Sequence, residues 1–212
     1  MKLFTNILLA LISLGFLGLI GGIAIIAFAI NYYSKDLPDY SQLKEYEPPI
    51  VTRIYAGDGN LLAEYAQERR IFVPIQKIPD IVKNAFLSAE DKNFYEHQGV
   101  DTIAIARAMV TNLRNSGSGR RLVGASTITQ QVAKNFLLTN EVSYERKIKE
   151  AILAMRMEKA LSKDQLLELY LNEIFLGQRS YGVAAAALRY FNKPLDDLNI
   201  EEAAYLAALP KA

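Results

Sequence analysis
The chain has 212 residues, 51% of them apolar, with 24 Lys and Arg against 23 Asp and Glu, one histidine and no cysteine. A net charge of +1 argues against nucleic acid as the main partner, because duplex binding needs a strongly basic surface. Lacking Cys, the chain has no disulfide or thiolate chemistry, and a lone His97 makes a histidine metal cage or a Ser-His-Asp triad an uneconomical expectation.

Ile7 to Ile30 is an apolar run of 24 residues broken only by Ser13 and glycines. As a helix it would measure roughly 36 Å, enough to cross a ~30 Å hydrocarbon core. Lys2 ahead of it favours an N-inside orientation, and Tyr32 and Tyr33 stand where an interface belt would lie. Ala27-Phe28-Ala29 resembles a signal-peptidase site, but the run is long for a signal peptide, so a retained anchor is preferred. Lys35 to Pro49 reads as a stalk, and Val51–Tyr55 and Leu61–Tyr65 around Gly57-Asp58-Gly59-Asn60 as a hairpin. A third short strand is expected within Arg70–Pro74.

From Pro79 onward the pattern is helical. A first helix should end at Glu90-Asp91. Two acids at a helix C-terminus oppose the macrodipole, a setting that favours protonation and suits a general acid or base. Thr102 to Leu113 is amphipathic and leads into the loop Asn115–Gly119 and Arg120-Arg121, which suits either anionic lipid heads or an ordinary surface loop.

Ser126 is read as the N-cap of the next helix, which aligns Thr127, Gln130, Gln131 and Lys134 as one polar stripe. Neutral side chains in place of Glu and Lys suggest hydrogen-bonding groups aimed at a ligand. Ser143 should cap a further helix, with Arg146, Lys149 and Glu150 on one face and Ile148, Ala151, Ile152 and Met155 towards the core. From Arg114 to Lys149 seven cations face two acids, an excess that favours a locally anionic ligand. Two plain amphipathic helices would also satisfy this spacing. Ser162-Lys163-Asp164-Gln165 is a capping box for a helix running towards Gly177. Tyr181–Phe191 is a small-residue helix stopped by Pro194, and Glu201–Leu209 is the last helix.

Five blocks taken in order carry a family resemblance: Glu90 to Asp101, Gly124 to Gln131, Arg146 to Glu150, Leu167 to Asn172, and Ala203 to Pro210. The chain resembles glycosyltransferase family 51, the peptidoglycan glycosyltransferase domain of class A penicillin-binding proteins and their monofunctional relatives. The stalk and hairpin are similar to the bifunctional class, whose transpeptidase domain would follow. The resemblance implies a mainly α fold: a lysozyme-like helical lobe, a small mobile membrane-proximal lobe, a short β-hairpin element before it, and one N-terminal transmembrane helix. The expected organisation is 1–6 cytoplasmic, 7–30 transmembrane, 31–78 stalk and β element, and 79–212 glycosyltransferase domain, with 102–123 the mobile segment.

The implied reaction polymerises glycan strands in cell-wall biogenesis, and so supports cell shape. Glu90 would take the proton from the 4-hydroxyl of lipid II, which attacks the lipid-linked strand with inversion and releases undecaprenyl pyrophosphate. Arg146 and Lys149 would face the pyrophosphate, with Glu150 as second carboxylate orienting them or holding a divalent cation, Mg or Mn. Ser126, Thr127, Gln130, Gln131 and Lys134 would line the cleft. No metal ligand is assigned beyond Glu150 as a candidate. Expected partners are lipid II, the lipid-linked strand, the bacterial inner membrane and cell-wall assembly proteins, with the catalytic domain on the periplasmic side. A lytic glycosidase and a non-enzymatic wall-binding scaffold are the alternatives. His97 is expected to be structural.

Overall fold
The computed structural model describes residues 2–35, 37–45, 52–58, 61–65, 69–139, 141 and 143–211. Val51, the end of the expected stalk at 46–50, and Gly59 and Asn60 of the expected turn lie outside these. Helix α1 (Lys2–Tyr33) is a single 32-residue element, longer at both ends than the apolar run, since no Pro interrupts either flank. Leu11–Tyr33 is long and apolar enough to cross a bilayer. Its large apolar side chains, such as Phe16, Leu17 and Ile25, stand exposed.

Strands β1 (Thr52–Tyr55) and β2 (Leu61–Tyr65) form the antiparallel hairpin, with an irregular register between Ile54 and Tyr55. The third strand, β3, is Arg69–Arg70 and pairs in parallel with β4 (Ser180–Tyr181). Tyr181 was expected inside a helix. Gly177, Gln178 and Arg179 all adopt positive φ and turn the chain sharply. At Gly182 a Cβ would meet the Asn172 carbonyl oxygen at 2.6 Å, so glycine alone lets the chain pass. Arg70 ties the pairing down, lying 4.5 Å over the Tyr181 ring and pairing with Glu173.

The helical body comprises α2 (Asp80–Glu90), α3 (Thr102–Arg114), α4 (Ile128–Leu137), α5 (Tyr144–Ala160), α6 (Lys163–Glu173), α7 (Val183–Phe191) and α8 (Ile200–Ala208). Local chemistry explains most of the ends. Ser143 caps α5, Ser162 and Gln165 box the start of α6, and Asn199 and Glu202 box the start of α8. The α6 helix stops at Glu173, before Gly177, and α7 stops at left-handed Asn192, before Pro194. Helix α4 packs on both α5 and α6, and α2 lies along α8. Val82, Phe86, Phe94, Ile128, Leu153, Met157, Leu167, Tyr170 and Leu206 form the fully buried centre. Leu43, Ile75 and Ile78 are buried in the same core, so the segment before α2 packs on the helical body. Helix α1 also meets α5.

The face of α5 differs from its expected one. Its buried residues are Glu150, Ile152, Leu153, Ala154 and Met157, whereas Met155 is exposed and Ile148 and Ala151 are half-buried. Glu150, Leu153, Ala154 and Met157 are the i, i+3, i+4, i+7 stripe. A carboxylate occupies one of its positions, which is why hydrophobic periodicity alone set the helix at the wrong rotation.

Candidate active site
Glu90 is the last residue of α2 and half-buried. The next residue, Asp91, caps the helix and turns its carboxylate inward. Its Oδ2 accepts the Ile128 N–H at 2.9 Å, and both its oxygens lie 3.0 Å from His97 Nε2. Asp91 therefore places negative charge on the N-terminus of α4, the favourable end of that dipole. His97 is held as a structural hydrogen-bonding side chain. The loop that follows is pressed onto α5: Gly99 has φ +87° and a Cβ there would stand 2.7 Å from the Ala154 carbonyl carbon. The Gly99 carbonyl accepts the Thr127 hydroxyl at 2.6 Å.

Thr127, rather than Ser126, caps α4. Its Oγ1 accepts the Gln130 N–H at 3.1 Å, and Gln130 Oε1 accepts the Thr127 N–H at 3.0 Å. This reciprocal box commits Gln130, which is buried. The expected polar stripe thus divides: Thr127 and Gln130 build the helix start, while Gln131 and Lys134 reach the cleft. Gln131 Nε2 donates to Glu90 Oε2 at 2.9 Å. Burial pushes the Lys134 ammonium pKa below its ordinary value, with Glu150 opposing and Arg146 and Lys147 adding to the fall.

Across the cleft stands α5. Glu150 is 1% exposed and meets Lys147 Nζ at 2.6 Å and an Arg146 guanidinium nitrogen at 3.5 Å. A carboxylate this buried is tolerable only when paired, and here it fixes two cations. Lys147 Nζ also donates to Ser126 Oγ at 3.1 Å. Lys149 points elsewhere and pairs with Glu145 at 2.7 Å.

Glu90, Ser126, Gln131, Lys134, Lys147 and Glu150 line one groove of about 620 Å³. Arg121, Leu122, Val123, Gly124 and Pro210 also line it. Glu90 is a shared wall, since a hollow of about 250 Å³ continues past it to Asn93, Asp101, Arg107 and Thr127. Arg146 and Lys149, expected to face a pyrophosphate, do not line the groove, and Lys147 does. Spacing offered one signal for Lys147: it sits three residues before Glu150, on the same helix face. Nothing in the sequence pattern marked Leu122, Val123 or Pro210 as wall.

The expected divalent cation finds no ready set of ligands. Both Glu150 oxygens face cationic side chains, and no cluster of three His, Cys, Asp or Glu side chains exists among the described residues. Glu150 as it stands is the counter-ion of Arg146 and Lys147.

Residues 58–212 match the family described as Transglycosylase. Penicillin-binding protein 1A of Rickettsia bellii (strain RML369-C) is 60% identical over 191 residues, which are 90% of this chain and 24% of that protein. Penicillin-binding protein 1A of Neisseria flavescens is 50% identical over the same shares. The crystal structure of penicillin-binding protein 1A from Haemophilus influenzae is similar over 79% of this chain and 15% of that one, at 29% identity and a TM-score of 0.37. The chain belongs to the transglycosylase family, the peptidoglycan glycosyltransferases of cell-wall synthesis. It spans about a quarter of the length of these curated relatives.

Proposed function
We propose that this chain lengthens peptidoglycan glycan strands, transferring a lipid-pyrophosphate-linked strand onto the 4-hydroxyl of lipid II with inversion. The observation that carries the reading is the single groove shared by Glu90, Lys134 and Lys147, with Glu150 buried behind as counter-ion. Glu90 accepts the hydroxyl proton as the oxygen bonds to the anomeric carbon of the donor. The anomeric C–O bond to pyrophosphate breaks, and its electron pair leaves with undecaprenyl pyrophosphate. That leaving group needs charge stabilisation more than protonation, so Lys134 and Lys147 suffice where a glycosidase would need a second proton-transfer carboxylate. Ser126 and Gln131 contribute polar groups to the same wall. Anchoring by α1 with the N-terminus inside the cell would hold the groove at the outer face of the inner membrane, where the lipid-linked substrates lie.

The test incubates the detergent-solubilised chain with purified lipid II and resolves the products. Lengthening glycan is expected, and Glu90→Gln should lower turnover by at least about a hundredfold while lipid II still binds. Shortening of preformed strands would instead indicate a lytic glycosidase, and retention without product a wall-binding scaffold.

A further inference from the structure
We infer that Gln131 is a positioning residue for the base, holding the Glu90 carboxylate in one orientation. This rests on the reading of Glu90 as the base. The contact is direct: Nε2 lies 2.9 Å from Glu90 Oε2, and both side chains are half-buried. A carboxylate only accepts, so the amide must turn its NH₂ towards it.

The backbone that presents the amide is pinned. The Gln131 N–H donates to the Thr127 carbonyl at 3.0 Å, one turn inside the capping box. The two helices are joined at two adjacent residues. Asp91, at the end of α2, takes the first N–H of α4 at 2.9 Å, and α4 gives a second donor to Glu90, the residue before. Two bonds from α4 to neighbouring carboxylates fix distance and rotation together, which one bond would not.

The chemistry also favours an amide at this place. A neutral donor stabilises the carboxylate without neutralising it, whereas an ammonium would form an ion pair and blunt its basicity. The charged groups around Glu90 are Arg121, Lys134, Lys147 and Glu150 in the groove, with Asp91 beside it and the buried Tyr170 phenol within its electrostatic reach. Gln131 is a neutral donor beside them.

The experiment measures lipid II polymerisation against pH for Gln131→Met, which keeps length and removes the donor, and for Gln131→Glu, which keeps shape. Thermal unfolding of each variant accompanies the kinetics. For Gln131→Met, kcat should fall roughly 10- to 100-fold, and the acid limb of its pH profile should move up, with KM within about twofold. Gln131→Glu, whose two carboxylates must share a proton, should move the limb further in the same direction. A rise in KM with the limb unmoved overturns the inference, since that is a residue binding substrate alone. Unchanged kinetics in both variants overturn it as well. If Glu90→Gln keeps its turnover, it is the proposed base that fails; if that variant is inactive but the limb stays put, only the role of Gln131 fails.

Discussion

Lys147 and Lys149 are two positions apart, which on a helix is about 200° of rotation, and this separates a groove wall from an ion pair outside the groove. Lys147 holds Glu150 and Ser126; Lys149 holds Glu145, whose side chain is half exposed. Lys147→Ala should therefore weaken competition by a lipid pyrophosphate analogue roughly tenfold or more, the scale of a lost hydrogen bond to a charged group. Lys149→Ala, whose ammonium pairs with Glu145 outside the groove, should change it by less than about fivefold. Equal effects in a competition-binding titration would return the diphosphate-facing role to Lys149. At this scale the sequence was legible where a residue acts with its immediate neighbours. Glu90 at a helix end and His97 as a structural partner could both be read that way. The rotation of α5 could not, because a buried Glu150 looks polar until its two cations are seen around it.

Elements were read best where a cap announces them. Ser143 and Ser162 start their helices as expected, and Asn199 caps the last one. At Ser126 and Thr127 two adjacent hydroxyls compete, and the deciding signal was Gln130, three residues beyond Thr127. The β3–β4 pair was out of reach, since two-residue strands more than a hundred positions apart leave no periodicity. Asp101 offers a test at this scale. The Ala104 N–H holds its carboxyl below the usual range against opposing burial, with Asn93 and then His97 assisting. A carboxyl depressed on folding stabilises the native state above its unfolded value, about 3.9, and that contribution is lost as pH falls through the folded value. Asp101→Asn keeps a competent cap that does not titrate. Its urea midpoint should consequently fall less steeply than the parent's below about pH 4; parallel curves would remove Asp101 from the acid response.

Over the whole molecule, apolar surface is distributed unevenly. Besides α1, exposed large apolar side chains cluster at Ile103, Met109, Val110 and Leu113 on α3 and at Leu122 beyond it. Arg107, Arg114, Arg120 and Arg121 are exposed along the same segment. A lipid surface with anionic heads matches both features. Ile103→Asp and Leu113→Asp should each reduce turnover in vesicles containing anionic lipid about tenfold, from the apolar area no longer inserted, and leave turnover in detergent unchanged. An equal loss in both media would mean that the segment acts within the protein. Read from residues alone, this stretch suits lipid contact or a plain loop equally, because amphipathicity does not say what lies opposite.

The close approach at Gly99 ties one side of the groove together. With that loop seated on the α5 backbone, and Asp91 and Thr127 tying it to α4, three walls form one rigid frame. The extended chain on the other side hangs from α3 by Asn112, whose amide bonds both the N–H and the carbonyl of Val123. Under the proposed function, a growing strand would gain clearance on the Asn112–Val123 side, while Glu90 stays with the frame that Asp91 and Thr127 tie together.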